Sequence, residues 1–281
     1  MYRSLISLMP KYTPLLDIYS GASGAYFLNK VRTAYTGNCI RVRRSSDNTE
    51  QDIGFVGTEL DVASLLTFVG AGNGFITRIY DQSGNANNVR QSTASRQPQI
   101  VFSGSLQYRN GRPYARMFQG SNGSFLEGLL NTPIATVGTS SFLVASYNSS
   151  VETSVFGLNS TSTSNQYLNQ GVYLDFLTGF FRNTTPFSMT AFTPILDQTY
   201  LTSLHTISST DRRFFVNNSN SYSNNTSSLS FNATYISLNR LRRTDNVIGF
   251  PDFFGFVIYP TERTADRNGI ENNLNQYYGI Y

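Results

Sequence analysis

Apolar and polar residues alternate over short stretches along most of the chain, and a helical period surfaces in only three places. Alternation with β-branched and aromatic residues predicts strands at 39–43, 75–80, 99–102, 115–118, 141–147, 154–158, 171–176, 200–207, 212–216, 234–238 and 253–259. Turn formers separate them, among them Asn110-Gly111, Asn122-Gly123 and the Asn- and Ser-rich stretch 217–225. A helix is predicted over 24–35, where Ala25, Leu28 and Val31 recur at i, i+3 and i+6. A second is predicted over 61–69, with Asp61 placed to cap it and Gly70 to end it. The third closes the chain, over about 263–278. Ile270, Leu274, Tyr277 and Tyr278 form its apolar stripe, Thr261 and Thr264 are candidate caps, and Gly279 is the stop.

Many short strands with polar turns, and few helices between them, predict an all-β fold, a jelly-roll β-sandwich with a few short helices and a C-terminal helix. The absence of an internal repeat or a linker favours one domain, residues 17–281. Residues 1–16 read as an N-terminal attachment arm: Pro10 and Pro14 interrupt regular structure, and Leu5, Ile6 and Leu8 offer apolar contacts. Only 14% of residues are charged, against the usual quarter or so. Asn, Ser and Thr take their place, which suits an exposed particle surface or a sugar-facing one. The formal charge of +4 comes from arginine, lysine occurring only at 11 and 30. Clusters at Arg41, Arg43 and Arg44, and at Arg240, Arg242 and Arg243, sit on no nucleic-acid motif, so no nucleic-acid partner is expected. No run approaches the roughly 18 apolar residues of a membrane span, and no membrane insertion is expected. The N-terminal segment lacks a signal-peptide core, so the chain is expected to stay inside the cell or leave it within a particle.

Chemistry-bearing residues are few. Cys39 stands alone, which excludes an intrachain disulfide and a cysteine metal cluster. His205, the single histidine, lies in an alternating strand and is read as structural rather than as the base of a Ser-His-Asp set. Asp81, Ser83, Asn85 and Asn87 occupy alternate positions, as oxygen ligands do in calcium loops. Asp81, Ser83 and Asn85 are therefore the candidate metal ligands. The loop has one formal charge and no distal Glu, so a lattice of Asx turns is the favoured reading, and no cofactor is expected.

Three segments carry a resemblance. Leu16-Asp-Ile-Tyr19, the strand ending Ser45-Ser-Asp47, and Ile79-Tyr-Asp-Gln-Ser-Gly-Asn85 resemble the N-terminal jelly-roll of α-L-arabinofuranosidase B. The closing run Phe253-Phe-Gly-Phe-Val-Ile-Tyr-Pro260 and the final helix are similar to that family's last strand and helix. The likeness covers about the first hundred and the last thirty residues, and implies a concanavalin-like sandwich. The chain also resembles sandwich proteins encoded by tailed phages, more closely in its C-terminal half. In the arabinofuranosidase family the nucleophile is a Glu two residues after an Asp. The equivalent segment here, Val172-Tyr-Leu-Asp-Phe-Leu177, has Asp175 at the Asp and Leu177 at the Glu, and Asp245 corresponds to the general acid. The family's vicinal cysteine pair is missing.

A retaining glycosidase needs two carboxyl groups across the scissile bond. Asp81, Glu127, Asp175, Asp245 and Asp252 are the candidates, and none pairs with another in sequence. With Leu177 at the nucleophile position, the expectation is a non-catalytic structural component of a phage virion: a tail, fibre or capsid-decorating protein. It would contact other virion proteins through the arm, self-associate as a homo-oligomer, and bind a host glycan through Tyr173, Asp175 and Asp245. Tyr167 and Tyr222 are further candidate sugar platforms. The alternatives are a glycoside hydrolase of arabinofuranosidase type and a lectin-like module.

Overall fold

The computed structural model describes residues 12–118, 123–148, 153–160, 166–173, 176–182, 186–190, 193–218, 220–224, 230–240 and 251–281. Its strands form two antiparallel layers. In the first, Gly24–Phe27 pairs with Asp252–Tyr259, followed by Thr139–Ser146, Thr199–Thr206, Arg212–Val216 and Asn220–Asn224. The second runs Glu50–Ile53, Ile40–Arg44, Gly74–Ile79, Val89–Arg90, Leu126–Ala135, Asn232–Leu238, Thr153–Asn159, Tyr167–Tyr173, Phe176–Arg182 and Pro186–Thr190. Gln99–Phe102 joins the layers, pairing with Gly74–Ile79 and with Ala115–Arg116, which in turn pairs with Asp252–Tyr259. The fold is an all-β sandwich, as the alternation predicts.

The core has two parts because the first layer is covered on both faces. Phe253, Phe256 and Ile258 face the second layer, where Phe256 stacks on Phe156 at a centroid distance of 3.7 Å. Phe254, Val257 and Tyr259 face the other way, into a cluster with Ile270, Leu274, Tyr277 and Tyr278 of the closing helix. Every residue of Thr139–Ser146, Thr199–Thr206 and Asp252–Tyr259 is therefore buried. Such strands read as near-continuous apolar or small-residue runs rather than as alternation. Each large side chain so buried contributes about 1.5–3 kcal/mol. Gly255 lies where the layer meets Phe27, and a Cβ at that position would overlap the Phe27 ring.

The closing helix is Arg267–Tyr278, and Gly279 ends it in the left-handed conformation at φ 61°. Its stripe docks as predicted, but Asp266 rather than a threonine occupies the N-cap, with no side-chain cap bond. The helix Val62–Val69 is capped by Asp61, which accepts from the Ser64 N–H at 3.0 Å, and Gly70 follows it. The predicted helix over 24–35 is not formed: Gly24–Phe27 is a strand. Tyr26 enters the core between the layers while Ala25 and Phe27 enter the outer cluster, so no polar face marks it as a strand. Of the arm, residues 12–16 dock on the closing helix. Leu15 and Leu16 are buried, Tyr12 lies 4.8 Å from Tyr277, and Asn273 donates to the Thr13 carbonyl. Residues 1–11 lie outside the described residues.

Residues 81–88 clamp this architecture. The carboxylate of Asp81 accepts from the N–H groups of Ala25, Ser83 and Asn87 and from the Ser83 hydroxyl, at 2.7–3.0 Å. Asn85 and Asn87 donate to the carbonyls of Ala22 and Ser23. Buried Gln82 accepts from Val31 N–H and donates to the carbonyls of Phe27 and Asn29. The candidate ligands Asp81, Ser83 and Asn85 thus hydrogen-bond within the loop and to Ala22, Ser23 and Ala25, in the Asx-turn arrangement.

Candidate functional site

Among the described residues no helix covers the outer face of the second layer, and its polar side chains shape a shallow double hollow. Register sets the row. Asp52 lies opposite Arg41, Arg41 opposite Arg78, Arg78 opposite Arg90, and Arg90 opposite Glu127. One strand further on, Leu129 lies opposite Tyr235. One hollow, of about 300 Å³, is lined by Arg90, Gln91, Ser92, Glu127, Leu129 and Tyr235. The other, of about 170 Å³, shares Arg90, Gln91 and Ser92 and adds Arg41, Glu50, Thr77 and Arg78.

The charges along this face are mostly matched. Arg41 donates from Nε to Glu50 at 2.6 Å and from Nη1 to Asp52 at 3.1 Å; the bond to Glu50 raises the Arg41 pKa above its ordinary value. Thr77 donates to Glu50 at 3.3 Å, and Tyr80 donates its hydroxyl to Asp52 at 2.6 Å. Burial, then the bond to Asp52, pushes the Tyr80 phenol up. At the far end Arg240 meets Glu127 at 3.0 Å while its guanidinium lies over the Phe125 ring, 4.4 Å from the centroid. The hollows thus present two carboxylates, Glu50 and Glu127, each oriented by an arginine, together with arginine, hydroxyl and amide groups that can bond to sugar hydroxyls. Leu129, 62% exposed, adds an apolar wall facing solvent.

The other predicted site residues are elsewhere. Asp175 and Asp245 lie outside the described residues. Tyr173 ends strand Tyr167–Tyr173 opposite Phe176, and Leu177 lies opposite Val172. Tyr222 belongs to strand Asn220–Asn224. Tyr167 is buried at 2% exposure and offers no platform to a ligand. Asp252 is fully buried between Arg109, at 2.7 Å, and Arg116, at 3.3 Å, with Asn148 donating at 3.1 Å; burial raises its pKa. It ties Arg109, Arg116 and Asn148 to the start of strand Asp252–Tyr259. Cys39 is buried, and desolvation drives its thiol pKa up. Of the carboxylates picked from sequence, Glu127 alone lines the described hollows; Glu50, Arg78, Arg90 and Tyr235 were missed. Their outward alternation was readable, but not which strands would be neighbours.

Comparisons with known proteins bear on this frame. The model of the family "Alpha-L-arabinofuranosidase B, catalytic" matches residues 17–107. Among solved structures, a mutant GH54 α-L-arabinofuranosidase soaked with 4-nitrophenyl α-L-arabinofuranoside is similar over 95% of this chain, with TM-score 0.73 and 16% identity. An arabinofuranosidase complexed with arabinofuranosyl-α-1,2-xylobiose is similar over 95% of this chain, with TM-score 0.71 and 16% identity. The chain spans 66% and 65% of those two chains, respectively. No curated protein matches the sequence. At such identity the structural likeness establishes the fold, a β-sandwich. Of the two likenesses drawn from the sequence, the arabinofuranosidase one is supported and the phage one finds no support here. The expectation that the chain is not an enzyme is corrected by the same findings: the matched model is that of a catalytic domain, and the similar structures are glycoside hydrolases. That expectation rested on Leu177 at the nucleophile position and on five carboxylates of which none pairs with another in sequence.

Proposed function

We propose that the chain is a glycoside hydrolase of arabinofuranosidase type, working at the double hollow on the outer face of the second layer. The observation that carries this reading is the carboxylate of Glu127, oriented by Arg240 in a hollow on the outer face of the second layer, with the arginine-bonded Glu50 in the adjoining hollow. Leucine at 177 can supply no carboxylate, so in this reading the nucleophile is another residue. Glycoside hydrolysis places one carboxyl group to protonate the leaving oxygen and a second to attack the anomeric carbon or to activate water. Arginines and amides around them would grip the hydroxyls of the sugar, and Leu129 with Tyr235 would face its C–H surface.

The test is release of 4-nitrophenol from 4-nitrophenyl α-L-arabinofuranoside. The wild type should turn the substrate over, and Glu127→Gln should slow it by about 100-fold or more, as loss of an acid or base group does. Unchanged circular dichroism and melting would show that the variant is folded. No release by the wild type, or an unaltered rate in Glu127→Gln, would sink this assignment.

A further inference from the structure

Six arginines on or beside the outer face of the second layer divide into two kinds. Arg41 pairs with Glu50 and Asp52, Arg44 with Asp47, and Arg240 with Glu127, while Arg43 donates to Gln97 and Asn48. Arg78 and Arg90 have no carboxylate partner among the described residues; Arg78 lies beside Tyr80, with its guanidinium carbon 5.4 Å from the ring centroid and a side-chain hydrogen bond to the phenol. These two are direct cross-strand partners, and both line the 170 Å³ hollow. Like charges set directly opposite each other in a sheet cost stability. The carboxylates nearby are bonded to other arginines, Glu50 and Asp52 to Arg41 and Glu127 to Arg240, and none of them bonds Arg78 or Arg90.

We propose that Arg78 and Arg90 form the subsite for the carboxylate of an acidic sugar, a uronate unit within the glycan that the cleft accepts. This deepens the glycoside-hydrolase reading and rests on it. The guanidinium is a planar fork of donors that matches the two in-plane oxygens of a carboxylate, and a pair of such forks fixes both its position and its orientation. Ser92 beside them supplies a hydroxyl for the ring, and the Thr77 hydroxyl, which donates to Glu50, has an oxygen left to accept. The next hollow, reached across Arg90, ends in the apolar wall of Leu129 opposite Tyr235, suited to the C–H face of a following unit. Together the volumes reach the lower range of small-molecule sites, about 300–1,000 Å³. A neutral sugar would leave the two opposed cations unmatched, whereas a uronate removes their mutual repulsion as it binds.

Calorimetric titration with four probes tests this: a galacturonic acid trimer, its neutral galactose counterpart, a sulfated galactose trimer and a short single-stranded oligonucleotide. The wild type should bind the uronate trimer at least about tenfold more tightly than the neutral one, the difference expected from one charge-assisted hydrogen-bonding pair. Arg78→Gln and Arg90→Gln, checked for folding by melting, should each erase most of that preference, weakening uronate binding by a larger factor than neutral binding. Equal binding of acidic and neutral trimers, no binding of either, or a preference that survives both substitutions would overturn the proposal. So would tighter binding of the sulfated trimer or the oligonucleotide, which would mark a surface selective for charge alone. The parent reading fails separately, by absence of arabinofuranoside turnover in an enzyme that still discriminates uronates.

Discussion

Acid should destabilise this protein through one residue, His205. Its ring is fully buried on the outer side of the first layer, between the rings of Phe142 and Phe215. Nδ1 lies 2.8 Å from the Ser140 hydroxyl, and Nε2 lies 3.2 Å from the Ser203 hydroxyl, which donates to Glu271 of the closing helix at 2.6 Å. Burial first, then the cations of Arg267 and Arg213, lower its pKa to about 3. An unfolded histidine titrates near 6.5. Between those values the unfolded chain binds a proton that the folded one refuses, so stability is complete above about pH 6.5 and drains away as pH falls toward 3. At about pH 4.5, two units below the unfolded pKa, the loss is about 3 kcal/mol, at roughly 1.4 kcal/mol per unit. Glu271 and Asp252 act in the opposite sense, because burial raises their folded pKa values and acid favours their folded forms. Comparison with His205→Gln cancels those contributions, as the variant keeps both carboxyl groups and has no ring to protonate. Urea unfolding of the two proteins from pH 7.5 down to 4.5 should show the wild-type advantage shrinking by about 3 kcal/mol. Parallel pH profiles would refute the reasoning and would mean that the folded state accommodates the imidazolium.

Two further outcomes follow from the packing. Gly255→Ala should cost about 1–3 kcal/mol in chemical denaturation, because the added methyl must displace the buried Phe27 ring; an unchanged midpoint would mean that the layer yields there at no cost. Asp81→Ala should lower stability by about 3 kcal/mol, since it strands donors of Ala25, Ser83 and Asn87, and the melting temperature of the wild type should be the same in calcium and in chelator; a calcium-dependent rise would turn the loop into a metal site.

Local rules wrote a good part of this fold into the sequence. Asp61 and Gly70 bracket a helix, the stripe from Ile270 to Tyr278 with Gly279 behind it defines another, and the alternating runs become strands close to where they are expected. These features need only a neighbour three or four residues away, or one exposed face, to show themselves. Gly24–Phe27 needed more: with both faces buried it had no polar side to reveal a period of two, and the pairing with Asp252–Tyr259 made it a strand. The site was hidden for the same reason at a larger scale. Asp52, Arg41, Arg78, Arg90 and Glu127 come from five strands, and cross-strand register alone sets them in one row. Local alternation was enough to set the kind of layer these residues would build and which side chains would point outward. Tertiary structure decided which charges would meet, because ion pairing and cleft shape depend on distances between strands far apart in the chain.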